Sequence, residues 1–229
     1  MKRREFLFNL SLGLAAASPV LSPKGFFSSS LPKVLLLGDS ISIGYWPFVA
    51  EMMQGEAVVT RPLKPDGSPE NCEGTTRGLQ RIEHWLGETK WDLIHFNFGL
   101  HDIKHVDPDT GKNSQDLRHP RQAEPRRYRK NLKQITKRLQ ETGAKLVFAT
   151  TTPYPAELNG PLREFGDDET YNQIARKIMA KNEIPVNDLH AFVKPRMAEL
   201  QRPQNVHFTK QGSKTLAEEV CRVIRQQLS

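Results

Sequence analysis

The sequence predicts an α/β protein, a three-layer α/β/α sandwich on a five-stranded parallel sheet. Five short apolar segments, 33–37, 56–60, 91–98, 145–150 and 184–187, mostly lack the polar alternation of a strand with one wet face. Each therefore reads as a strand covered on both sides. Helical stretches separate them, which is the alternation that gives a parallel sheet layered with helices. The length, 229 residues, suggests one core and one domain, and a composition 37% hydrophobic and 26% charged is ordinary for a globular protein.

The chain opens on an export signal. MKRREFLFNLSLGLAAASPV has a basic start, an apolar run over 6–17 and small residues at Ala15, Ala16 and Ala17, the order of features in a secretory leader. The run is short for a bilayer span, although an uncleaved anchor is the other reading of the same lengths. Arg3-Arg4-Glu5-Phe6-Leu7 resembles the twin-arginine variety of bacterial signal, whose receptor exports folded proteins. Residues 1–30 are accordingly read as signal and linker, 31–229 as the working domain, and the destination as periplasmic or extracellular, with no stable membrane insertion once the signal is cut. The formal charge is +7; removing 1–17 takes three cations and one carboxylate and leaves +5, a mildly basic protein and not a polycation. The only cysteines, Cys72 and Cys221, are too few for a disulfide framework, and sequence leaves open whether they pair.

The helices follow from periodicity. Tyr128, Leu132, Ile135 and Leu139 form one stripe of 124–141, closed by a glycine in ETGAK. Leu216, Val220, Val223, Ile224 and Leu228 form another, with Thr209 as its cap. A further helix is expected to begin near Ser42. Loops that follow the strands collect at one edge of such a sheet, where ligands bind. The residues to inspect there are Gly38-Asp39-Ser40, the stretch 62–76, Gly99 to Asp102, and 150–155.

Ser40 stands just beyond the first strand. A hydroxyl at that turn faces the sheet edge, where backbone N–H groups of the following helix point at any negative charge forming beside it. The plain alternative is that Asp39 or Ser40 caps the helix. A nucleophilic serine needs a base, and His207, in NVHFTKQG just before the last helix, titrates in the right range. Gly74 heads a helix where a bare N–H can approach a ligand, and Asn97 and His101 at the third strand's end offer further donors for an oxyanion.

The ordered blocks Gly38-Asp39-Ser40, Gly74, Gly99-Leu100-His101-Asp102 and His207 resemble the GDSL esterases and lipases, the SGNH hydrolases, over nearly the whole chain from Lys33 to Leu228. The resemblance implies a flavodoxin-like SGNH hydrolase domain over 31–229, with Ser40 as nucleophile and His207 as base. It implies an oxyanion site from the N–H groups of Ser40 and Gly74 plus a side chain of the third block, and neither metal nor cofactor. Two positions depart from the pattern. His101 stands where the family has asparagine; a neutral imidazole still donates one hydrogen bond, and Asn97 is the substitute. Gln204, followed by Asn205, stands where the family has an aspartate three residues before the histidine. Three outcomes are open: a dyad oriented by Asn205, Gln204 or a backbone carbonyl; a carboxylate from elsewhere such as Asp188; or a domain that binds without turnover.

The expected activity is that of an exported serine esterase acting on a small acyl ester, an O-acetyl group on a carbohydrate first. A lysophospholipase or thioesterase of the same fold and a decayed carbohydrate-binding domain are the alternatives. His95, His101, His105 and Asp102 lack an ordered metal-ligand spacing. The basic run 118–130 carries one aromatic, Tyr128, already claimed by a core stripe, so it is read as a solvated helix start or an attractor of anionic polysaccharide and not as a nucleic-acid surface. Pro153 and Pro155 stiffen the loop 149–155, whose threonines and Tyr154 are candidates to line an acyl or sugar pocket. Asp167, Asp168 and Glu169 read as a helix's first turn. Trp46, Trp85 and Trp91 read as core, with Trp46 near enough to Ser40 to border a pocket.

Overall fold

A computed structural model describes residues 30–229. The leader at 1–29 lies outside the described residues. Five parallel strands, β1 (Lys33–Leu37), β2 (Val58–Thr60), β3 (Leu93–Phe96), β4 (Lys145–Ala149) and β5 (Val186–Asn187), form one sheet in the order β2-β1-β3-β4-β5. The register sets Val34 beside Val59 and Leu93, and Leu93 beside Lys145. Four-residue cores such as Val34–Leu37 and Leu93–Phe96 are wholly buried, as the lack of alternation requires.

The helices are α1 (Ser40–Met52), α2 (Thr75–Leu86), α3 (Pro125–Gln140), α4 (Asp167–Lys181), the short α5 (Leu189–Val193) and α6 (Met197–Leu200), and α7 (Lys210–Leu228). Right-handed crossovers put α1 on one face of this strand order and α2, α3 and α4 on the other. The packing agrees: α1 lies against α7, α2 against α3, and α3 against α4. Packing α7 on α1 is what returns the chain's last loop to the end of its first strand. Among the described residues no helix is long and apolar enough to cross a membrane.

The strands are shorter than the apolar runs. The N–H groups of Glu56 and Ala57 both turn back to Met53 O, so they finish α1 and β2 starts at Val58. Ile184 likewise donates to Met179 O, in the turn after α4. Helix α1 starts at Ser40, two residues earlier than expected, because Asp39 takes the cap position and accepts from Ile41 N at 2.9 Å.

Candidate active site

At the carboxyl edge of β1 the cap reading of Gly-Asp-Ser holds for Asp39, and it leaves the Ser40 hydroxyl at the start of the helix. Asp39 caps α1 and is buried, and burial pushes its carboxyl upward against the pull of the Ile41 N–H and the Arg163 and Arg61 charges. Ser40, as the first helical residue, keeps its N–H free of protein acceptors among the described residues. Arg61, which follows β2, braces this turn: its guanidinium donates to Ser42 Oγ at 3.0 Å, Gly38 O at 3.3 Å and Glu70 O at 2.8 Å. Sequence reasoning gave Arg61 no role, although its place directly after a strand put it at the working edge.

His207 meets Ser40 there. The loop before α7 is pinned by Arg202 N–H to His207 O at 2.9 Å and by the Gln201–Phe208 bridge, and it sets His207 Nε2 2.9 Å from Ser40 Oγ. On the other side of the ring, Nδ1 lies 2.8 Å from Asn205 Oδ1, the atom that also receives the His207 backbone N–H at 2.9 Å. A backbone N–H must donate, so the atom it meets is the amide oxygen, and Nδ1 must carry the ring proton. Nε2 is then the bare nitrogen that accepts from the serine. Burial, then Arg202 and Arg163, hold His207 below the ordinary imidazole range, which keeps this neutral tautomer at neutral pH.

Asn205 is thus the orienting partner. Gln204 faces away, donating to Glu157 at 3.2 Å and accepting from Asn159 at 3.1 Å. Asp188 is excluded as a remote carboxylate: it caps α5, receives Thr150 Oγ1 at 3.0 Å and pairs with Arg176 at 2.8 Å.

Gly74 and His101 are drawn together by Asp102. The Asp102 carboxylate, buried and pushed up to about 7 by that burial, accepts Thr75 N at 2.9 Å and Thr75 Oγ1 at 2.6 Å. It therefore caps α2 from another segment and clamps the second motif block to the third. A Cβ at Gly74 would sit 3.0 Å from that carboxylate, so the clamp requires glycine. The Gly74 N–H has no protein acceptor among the described residues. Gly99 turns with φ +154°, and a Cβ there would fall 2.1 Å from Thr151 Oγ1. His101 is held neutral, its pKa pushed down to about 3 by burial and then by Lys104, Arg163 and His207. Its Nδ1 is enclosed without a partner, while Nε2 is neither enclosed nor bonded to protein among the described residues. Asn97, the other oxyanion candidate, spends one amide N–H on Ala149 O at 2.8 Å and so ties β3 to β4.

A cleft of about 260 Å³ opens beside Ser40 and His207, walled by Ile41, Ile43, Gly44, Arg202, Phe208 and Ser213. Trp46 lies elsewhere, under the Arg61 guanidinium at 5.9 Å. The loop 149–155 is structural: Thr150 receives His190 N at 2.9 Å, Thr151 N donates to Asn172 at 2.8 Å and Tyr154 OH to Glu164 O at 2.7 Å. The histidines near the third block have separate partners. His95 meets Asn187 Nδ2 at 3.2 Å, and His105 Nδ1 donates to His119 O at 2.7 Å. Cys72 and Cys221 are both free and buried, with thiols pushed up to about 12 and about 11 by burial. Within the basic run, Arg121 is bound by Glu124, Glu164 and Asp167. Arg129 joins Lys133, Lys137, Lys177 and Lys181 along a groove of about 400 Å³ between α3 and α4.

Residues 36–215 match the family model described as GDSL-like Lipase/Acylhydrolase. No curated protein matches in sequence. Among solved structures, the acetyl xylan esterase AlAXEase is 18% identical, with a TM-score of 0.64 over 84% of this chain and 99% of that one. The lipase/acylhydrolase from Enterococcus faecalis is 20% identical, with a TM-score of 0.66 over 86% and 97%. An acetyl-xylooligosaccharide esterase from Geobacillus Stearmophilus, solved as a variant, is 16% identical, with a TM-score of 0.64 over 84% and 94%. At these identities the likeness is one of fold.

Proposed function

The chain belongs to the GDSL-like lipase/acylhydrolase family and is an ester-bond hydrolase, and from that premise we propose that it is an exported serine esterase that removes small acyl groups, acetyl first, from a carbohydrate ester. The observation that carries the reading is the contact of 2.9 Å between His207 Nε2 and Ser40 Oγ, with the ring's other nitrogen held by Asn205 at 2.8 Å.

In this reading Ser40 Oγ attacks the ester carbonyl as its proton passes to His207 Nε2. The negative charge moves to the carbonyl oxygen, where the Ser40 and Gly74 N–H groups and His101 Nε2–H donate to it. Collapse breaks the bond to the leaving alkoxide, which takes the proton from His207 and departs as an alcohol. Water then attacks the acyl-enzyme, giving its proton to His207, and the acid is released as Ser40 is reprotonated.

A small acyl group is supported by the cleft, whose 260 Å³ is less than drug-sized pockets offer; a lipid acyl chain needs a longer apolar groove. The carbohydrate is supported by the leader, which directs the protein to where polysaccharides are met, and by the substrates named for two of the neighbouring folds. The test is hydrolysis of p-nitrophenyl acetate and octanoate by the purified protein and by Ser40→Ala. Acetate turnover falling by about three orders of magnitude or more in the variant supports the esterase. Equal background rates point to a binding domain, and a preference for octanoate points to a lipid or thioester substrate.

A further inference from the structure

Resting on that reading, we propose that the ester this site prefers carries a negative charge, a carboxylate close to the scissile bond, which Arg202 and Arg163 bind.

Two guanidiniums beside the site, those of Arg202 and Arg163, stand without carboxylate partners among the described residues. Several guanidiniums elsewhere pair with carboxylates: Arg138 with Glu83, Arg176 with Asp188, Arg225 with Glu56. Arg202 lines the cleft with Ser40 and His207, and its only side-chain hydrogen bond among the described residues is from Nε to Phe208 O at 3.1 Å. Arg163 reaches over the third motif block. Its Nε donates to Leu100 O at 2.9 Å, next to His101, and Nη1 to Pro161 O at 3.3 Å. The adjacent Leu162 O receives His105 N at 2.9 Å, so this segment is laid along residues 100–105. Arg163 has no salt bridge among the described residues, and its Nη2 stays unbonded yet accessible. Burial pushes its pKa down, and its charge bears on Asp39, His101 and His207. A guanidinium withdrawn from water with only carbonyl partners is costly to keep.

Local acids do not supply the missing charge. Asp39 is turned to Ile41 N and Asp102 to Thr75. Glu73 lies 3.7 Å from Arg77, and Glu157 accepts from Gln204 at 3.2 Å. The orienting partner of His207 is a neutral amide. The site therefore develops an imidazolium during attack with two guanidiniums nearby and no carboxylate against the ring. An anionic substrate supplies the absent charge: its carboxylate satisfies the open guanidinium N–H groups and lowers the potential felt by the imidazolium.

The test compares kcat/KM for two acetyl esters of one sugar skeleton, a hexuronic acid and the corresponding neutral hexose, in the wild type, Arg202→Gln and Arg163→Lys. The expected wild-type preference for the uronate is roughly ten- to a hundredfold, the size of one or two charge-assisted hydrogen bonds. It should fall as salt is raised. In Arg202→Gln, at an exposed position outside the core, the ratio is expected to drop by about tenfold. Arg163→Lys keeps the charge but loses the fork, so it should retain part of the preference. A wild type that hydrolyses both esters equally, or a ratio unchanged in Arg202→Gln, overturns the inference while leaving the esterase intact. Loss of the esterase reading itself would show separately, as rates for both esters that Ser40→Ala does not alter.

Discussion

Two of the anchored histidines, His190 and His207, divide what is often treated as one device. His190 Nε2 lies 2.8 Å from the Asp168 carboxylate, both side chains being buried between α4 and α5. His207 lies 2.9 Å from a serine and has only the amide of Asn205 behind it. The carboxylate that a catalytic histidine ordinarily uses thus sits with the histidine that has no nucleophile in contact. Nothing in Asp168 reaches Ser40. The difference teaches that an acceptor behind the ring does two separable jobs: it chooses the tautomer, which an amide oxygen does as well as a carboxylate, and it neutralises the imidazolium, which an amide cannot do.

The largest expected effect breaks the pair apart by function. His207→Gln should reduce kcat/KM by about three orders of magnitude or more with little change in urea midpoint, because the ring is half-buried in a loop. Asp168→Ala should do the reverse, costing about 2 to 3 kcal/mol of stability through an unsatisfied buried imidazole while the folded fraction keeps its turnover. Equal losses of rate in both variants would mean that the buried pair takes part in the chemistry.

How much of this was legible beforehand depends on the kind of residue. The sheet was legible because strands buried on both faces must be apolar throughout, and the Ser40–His207 pairing because the motif blocks arrived in order. The strand ends were not, since Glu56 and Ile184 spend their N–H groups on helix ends, a contest that apolarity cannot register. Asn205 over Gln204 could not be separated either: both are neutral amides, and the choice rests on Gln204 adopting φ +50° and turning to Glu157. Asp102 belongs to a motif block, but its clamp on Thr75 spans 27 positions, and no local pattern announces it. Arg163 lay outside every motif and every predicted element.

A second effect, smaller than loss of the base, sharpens the contrast at the third block between His101 and Asn97. Removing one oxyanion donor typically costs about two to three orders of magnitude, so His101→Ala should lower kcat by roughly a hundredfold, whereas His101→Asn, which restores an amide donor, should recover most of it. Asn97→Ala is expected to act on stability instead, by orphaning the Ala149 carbonyl that joins β4 to β3. Steady-state kinetics beside thermal melts of the three variants decides it, and a kcat loss confined to Asn97→Ala would return the donor role to that residue.

The smallest effect turns the comparison around by giving His207 the charge that His190 already has beside it. Asn205→Asp keeps an oxygen for both donors, the ring Nδ1–H and the backbone N–H of His207, so the tautomer should be unchanged. What changes is the field. In the native site burial, Arg202 and Arg163 depress the His207 pKa, so the neutral base persists below the ordinary imidazole range and the acid limb of kcat/KM lies there. A carboxylate favours the charged ring and raises its pKa. The limb should therefore move to higher pH, with activity lost earlier on acidification. On the plateau above it, where the ring is neutral in both proteins, the rate with a neutral ester should rise by about tenfold, the scale of one modest electrostatic interaction with the imidazolium. The advantage of an anionic ester should shrink in the same variant, because the enzyme then carries the charge the substrate had been bringing. A limb that does not move on the neutral ester would mean that position 205 does not govern the protonation of His207.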